Sequence, residues 1–135
     1  MYICKFAVCG ESVVRDTETN TVSIFNIIEE IRSPGFPAVV HRVSCIFFLV
    51  REEGDQHQVE TTVKASLEAQ ELTQFPVNVD FGEKVINRVV VVISPMVVPG
   101  PGNLRISIEI GDQELGGWDI SVRQIGGPQI QVDQG

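Results

Sequence analysis

A chain of 135 residues, 43% hydrophobic and 21% charged, has the size and composition of one soluble globular domain. Ten lysines and arginines against eighteen carboxylates leave a formal charge of −8. That balance repels phosphate backbones and anionic lipid surfaces, so nucleic acid and membrane are not expected partners. The opening Met1-Tyr2-Ile3-Cys4-Lys5-Phe6 lacks the basic stretch and apolar run of a secretory leader. No segment has the apolar length of a membrane helix, and the cytoplasm is the expected location.

In chain order, an apolar residue at every second position predicts strands with one buried and one wet face. Residues 2–11 form the first, with Tyr2, Cys4, Phe6 and Val8 on one side. The polar stretch 15–20 leads to a second strand, 21–31, in which both faces are apolar and Ile27-Ile28 suggests a bulge. Pro34 and Pro37 make a loop, since proline supplies no ladder hydrogen bond. Residues 38–51 form a long, strongly apolar third strand. After the turn at 52–55 comes 57–67, with Val59, Val63, Ala65 and Leu67 opposite Glu60, Thr62 and Lys64. A fifth strand carries Phe75, Val77, Val79 and Phe81, and its Pro76 suggests an edge. The sixth, 85–94, contains the run 89–93. A Pro/Gly-rich loop over 95–103 precedes the clearest element, an amphipathic hairpin over 104–122. There Leu104, Ile106, Ile108 and Ile110 alternate with Arg105, Ser107 and Glu109, and Trp118, Ile120 and Val122 point inward after the turn at Gly111-Asp112. Eight strands separated by turns predict one all-β domain over residues 1–123, a two-sheet antiparallel β-sandwich, with a closed β-barrel as the alternative. Residues 124–135 read as a loosely ordered tail.

No chemical site emerges. Cys4, Cys9 and Cys45 are too few and wrongly spaced for a disulfide framework or a metal site, and read as small core residues. His41 and Cys45, placed on one strand, stand roughly 13 Å apart, too far for nucleophile and base. His57 follows an acidic turn and reads as solvated. Gly116-Gly117 opens no helix and reads as a bulge, not a phosphate loop. If every connection reverses direction, one end of the sandwich collects Asp16, Glu18, Glu52, Glu53, Asp55, Glu83, Asp112 and Glu114. Clustered carboxylates suit calcium, but Arg15, Arg51 and Lys84 share those loops, so solvated charge is the preferred reading. No cofactor or metal is expected.

The segments Phe6-Ala7-Val8-Cys9, Thr19-Asn20, Phe36-Pro37, Pro101-Gly102-Asn103-Leu104 and Gly111-Asp112-Gln113-Glu114-Leu115 resemble a family of small bacterial proteins catalogued as a domain of unknown function. The resemblance spans about residues 2–122. It implies a β-sandwich and supplies no catalytic residue.

The third and sixth strands have more apolar residues than one face can hold. With Val39, Val43, Cys45, Phe47, Leu49, Val85, Val89, Val91 and Ile93 inward, Ile46, Phe48, Val50, Ile86, Val90 and Val92 point outward. If the two strands pair, these six form one apolar patch that soluble monomers seldom leave in water. The expected function is therefore a non-enzymatic interaction or structural module that forms a homodimer through this patch, or that meets a further protein partner. A sandwich that binds a small molecule or glycan is the alternative, with Trp118 and Tyr2 the only rings suited to stacking.

Overall fold

In a computed structural model that describes residues 1–126, the chain is all strand. In order these are β1 (Ile3–Arg15), β2 (Val22–Ile27), β3 (Glu30–Ser33), β4 (Ala38–Val40), β5 (Val43–Val50), β6 (Gln58–Leu67), β7 (Gln70–Asp80), β8 (Ile86–Ile93), β9 (Met96–Val98), β10 (Gly102–Ile110) and β11 (Gln113–Gln124). They make a four-stranded sheet, β2-β1-β5-β8, a five-stranded sheet, β3-β11-β10-β6-β7, and a small pair, β4-β9. Neither large sheet closes on itself, so the fold is a sandwich and not a barrel. Only β3 runs parallel to its neighbour.

Eleven strands, not eight, are present among the described residues. The apolar stretch 38–51 divides at His41-Arg42, because Ala38–Val40 pairs with β9 while Val43–Val50 pairs with β1 and β8. Val39, on the separate small sheet, and Val85, before the start of β8, are therefore exposed and not inward as expected. The stretch 21–31 divides at Ile28-Glu29, just past Asn26, whose φ of 53° is left-handed. Strand β9 lies inside the proline-rich loop. Alternation marks extended chain but does not say which partner each piece takes. Of the expected tail, residues 127–135 lie outside the described residues; Gln124 ends β11, and the Ile125 amide donates to the Ser33 carbonyl at 3.0 Å.

The core sits between the two large sheets. Val43, Cys45, Phe47 and Leu49 of β5 meet Val63 and Ala65 of β6 and Leu104, Ile106 and Ile108 of β10, all fully buried. Each large side chain of this kind contributes about 1.5–3 kcal/mol on burial. The β10–β11 hairpin follows its alternation, but Trp118 is only half-buried, because it lies where β11 meets the β2–β3 connection. Its indole N–H donates to the Ile28 carbonyl at 2.8 Å. Ile108 faces Gly116 while Glu109 faces Glu114, which leaves Leu115 as the bulged residue. A Cβ on Gly116 would stand 2.8 Å from the Cys4 sulfur, so β1 can cross β11 only because this position is glycine.

Two readings of β1 are corrected. Cys9 and Cys45 are joined by a disulfide, leaving Cys4 as the free thiol. They are register partners on adjacent strands with Cα atoms 4.2 Å apart, a proximity that spacing along the chain could not reveal. The register also shifts between Cys4 and Phe6, so Cys4 pairs with inward Leu49 while Phe6 pairs with outward Phe48. The extra residue at Lys5 turns Phe6 to the opposite face from Cys4.

Past Gly10 the chain leaves the plane of the sheet. Gly10 pairs with Ser44, and a straight β1 would carry Arg15 about 16 Å further from Phe48. Instead the Arg88 guanidinium, beside Phe48 on β8, donates to Asn20 Oδ1 in the β1–β2 turn at 2.9 Å. The β1–β2 hairpin is therefore folded back across the outer face of its own sheet. Its alternation fits: Val13, Val22 and Ile24 are partly covered, while Val14 and Phe25 are exposed. At the fold, a Cβ on Gly10 would lie 2.7 Å from Ile24 Cγ1 and 2.8 Å from the Phe25 carbonyl.

Two measurements check this description. Gly10→Ala should lower unfolding free energy in urea by about 1–3 kcal/mol, because the clash includes backbone. Mass spectrometry after alkylation of denatured, unreduced protein should find one modified cysteine, Cys4, and three after reduction.

Candidate functional site

The outer face of the four-stranded sheet gathers the residues expected at an interface. Strands β5 and β8 pair, with Ile46 opposite Val90, Ser44 opposite Val92, Phe48 opposite Arg88 and Val50 opposite Ile86. All six apolar residues point away from the core, but they do not form one open patch. Ile86, Val90 and Val92 are 50%, 44% and 53% exposed, Phe48 and Val50 are half-buried, and Ile46 is 2% exposed. Ile46 is covered because it lies on an inner strand, between Val8 and Val90, beneath the returning hairpin. The exposed apolar surface is thus displaced from the middle of the sheet to β8. Phe6, assigned inward from alternation, joins it from the other flank, its ring 5.5 Å from that of Phe48.

The opposite outer face is built differently. On the five-stranded sheet Arg105 bonds Glu114 at 2.9 Å and Asp119 at 2.8 Å, and Lys64 reaches Glu109 at 3.4 Å. The Arg105 guanidinium holds the Glu114 carboxyl below the ordinary range. Asp119 is lowered first by the Asn103 side-chain amide and then by Arg105. Between these two carboxylates the Arg105 guanidinium is pushed upward. Arg105 and Lys64 on this face therefore have carboxylate partners within the sheet, and Glu114 belongs to it, not to an acidic rim.

The other acids also disperse. Asp55 and Glu52 hold the Met1 ammonium at 2.7 and 3.2 Å, and that ammonium lowers the Asp55 pKa. Asp16 accepts from the Glu18 and Thr19 amides in the returning turn. Among the described residues no three His, Cys, Asp or Glu side chains come together in a metal-holding group.

Two open hollows flank the sandwich. One, about 810 Å³, lies between β3 and β4 and includes His41, Arg42, Glu11 and Glu30. Glu30 is already paired with Arg32 and Arg123. Neither His41 nor His57 has a carboxylate oxygen within 4.0 Å of its ring nitrogens among the described residues, and His41 lies in the break between β4 and β5, not on a strand with Cys45. The other hollow, about 600 Å³, is floored by Phe48 and Ile86, with Arg15, Lys84 and Arg88 at its sides. It is the space left between the returning hairpin and the start of β8. The rings considered for glycan stacking are engaged internally: Tyr2 stacks on Phe81 at 5.8 Å and donates to the Gln56 carbonyl, and Trp118 is held at Ile28.

A family of unknown function (DUF6941) matches residues 5–123 of this sequence. The chain belongs to that family. The matched span takes in every element described above except the first two residues of β1 and the last of β11. No curated protein matches the chain. No helix among the described residues is long and apolar enough to cross a membrane.

The ion pairs on the five-stranded face set a pH dependence. Glu114 and Asp119 are held low in the folded chain, so their contribution is complete above the unfolded carboxyl values of about 4 and is lost as pH falls through the folded ones. Arg105→Met should cost about 1 kcal/mol at neutral pH, because the network is partly solvated. Melting temperature recorded from pH 7 to pH 2 should fall less steeply below pH 4 in the variant than in the wild type.

Proposed function

We propose that this protein is a non-enzymatic interaction module that associates with a second copy of itself through the apolar outer face of the four-stranded sheet. One observation carries the reading: Val90 and Val92 stand about half exposed side by side on the outer face of β8, with Ile86 beyond Arg88 and exposed Phe6 across the same face. Isolated apolar residues on a surface need no explanation, but a cluster on one strand of one face marks a contact surface. A two-fold homodimer is the commonest way a small domain covers such a surface. The polarity of the sandwich supports the choice, since the opposite outer face is polar and its Arg105 and Lys64 are already paired. A bacterial, cytoplasmic setting belongs to this proposal. In that setting cytosolic reductants would open the Cys9–Cys45 disulfide, which the chain holds outside them.

Size-exclusion chromatography with light scattering should give twice the 14.9 kDa chain mass at micromolar concentration. Val92→Lys, at a position already open to solvent, should give a folded monomer. A wild-type chain that stays monomeric would overturn the proposal.

A further inference from the structure

Strand β8 is the last strand of its sheet. Its inner side bonds β5 throughout, from Ile86–Val50 to Ile93–Val43. Asn87 ties its beginning to the Asp80 carbonyl at 2.6 Å. Among the described residues no backbone hydrogen bond joins the outer edge of residues 88–93 to another strand.

An open edge is a template for another strand, and proteins commonly blunt such edges with charge, proline, shortness or a bend. The other edges of the large sheets are blunted. Strand β7 contains Pro76 and five acids or amides, β3 has four residues with Glu30 and Arg32 among them, and β2 carries the left-handed Asn26. Strand β8 carries one of these devices, Arg88, whose guanidinium is turned to Asn20 on the outer face. The strand reads Ile-Asn-Arg followed by four valines and isoleucine, without proline, glycine or carboxylate.

We infer that the dimer forms by antiparallel pairing of β8 with β8 of a second copy, which joins the two four-stranded sheets into one continuous sheet across a two-fold axis. The inference rests on the self-association proposed above and specifies its geometry. Antiparallel pairing about a two-fold axis requires a strand compatible with itself, and any register centred within residues 89–92 sets valine against valine. With Val90 opposite its own copy, Arg88 faces Val92, and the two arginines stand roughly 13 Å apart along the strands, too far to oppose pairing strongly. Charge favours a second copy on this edge in particular. Two chains of net charge −8 repel, and β8 offers an approach with no carboxylate of its own. Pairing also brings Val90 and Val92 of both copies side by side on the outer face.

Amide hydrogen exchange on the full chain, recorded below and above the concentration at which light scattering shows association, tests the geometry. Amides of residues 88–93 that do not bond β5 should exchange at least tenfold more slowly in the dimer, while those of β2 should not change. Val90→Lys, an exposed position, should return the β8 amides to their monomer rates and weaken association at least tenfold. A dimer whose β8 amides exchange at the monomer rate overturns the edge pairing and leaves self-association standing, as does a Val90→Lys dimer of undiminished affinity. A monomer at every concentration overturns both.

Discussion

Strand β5 is apolar on both faces, and the molecule is arranged around covering it twice. Its inward residues, Val43, Cys45, Phe47 and Leu49, are sealed by the five-stranded sheet. Its outward residues, Ser44, Ile46 and Phe48, would face water in an ordinary two-layer sandwich. They are met by the end of β1 and by β2, which turn back over them from Gly10. A residue as apolar as Ile46 favours any cover by roughly the free energy of burying its side chain, about 1.5–3 kcal/mol. The nearest chain able to supply that cover is the hairpin that follows its own neighbour strand.

That hairpin has a limited reach. It covers the centre of the outer face, where β1 and β5 run, and its tip stops at Arg88. Beyond it, β8 keeps both an uncovered apolar face and an unpaired edge. The surface proposed for association is therefore what remains after the chain has covered as much of the sheet as its hairpin can span. The hollow between Phe48, Ile86 and the hairpin tip has the same origin.

The two outer faces divide the charge of the molecule. On the five-stranded sheet Arg105 and Lys64 stand among carboxylates that need them, and exposed pairs of this kind fix side chains more than they stabilise the fold. On β5 and β8 the outer face of the four-stranded sheet carries Arg88 and no carboxylate. An acidic chain can approach a copy of itself at the least electrostatic cost on strands that hold no carboxylate.

Much of the architecture is legible in the sequence, because period-2 alternation is a local property that each strand records for itself. The all-β class, the β10–β11 hairpin with Leu104, Ile106 and Ile108 inward, and the two-faced character of residues 43–50 and 86–93 all follow from it. What alternation cannot record is partnership. A single inserted residue at Lys5 reverses the side on which Phe6 lies, the pairing of Cys9 with Cys45 depends on the register between two strands, and the cover over Ile46 depends on a fold-back at Gly10. Each is decided by contacts between segments far apart in the chain. The six outward residues could thus be named from sequence, whereas only the tertiary structure decided that Ile46 is buried and that Val90 and Val92 lie on an open edge, because exposure depends on which other segment of the chain comes to rest on a face.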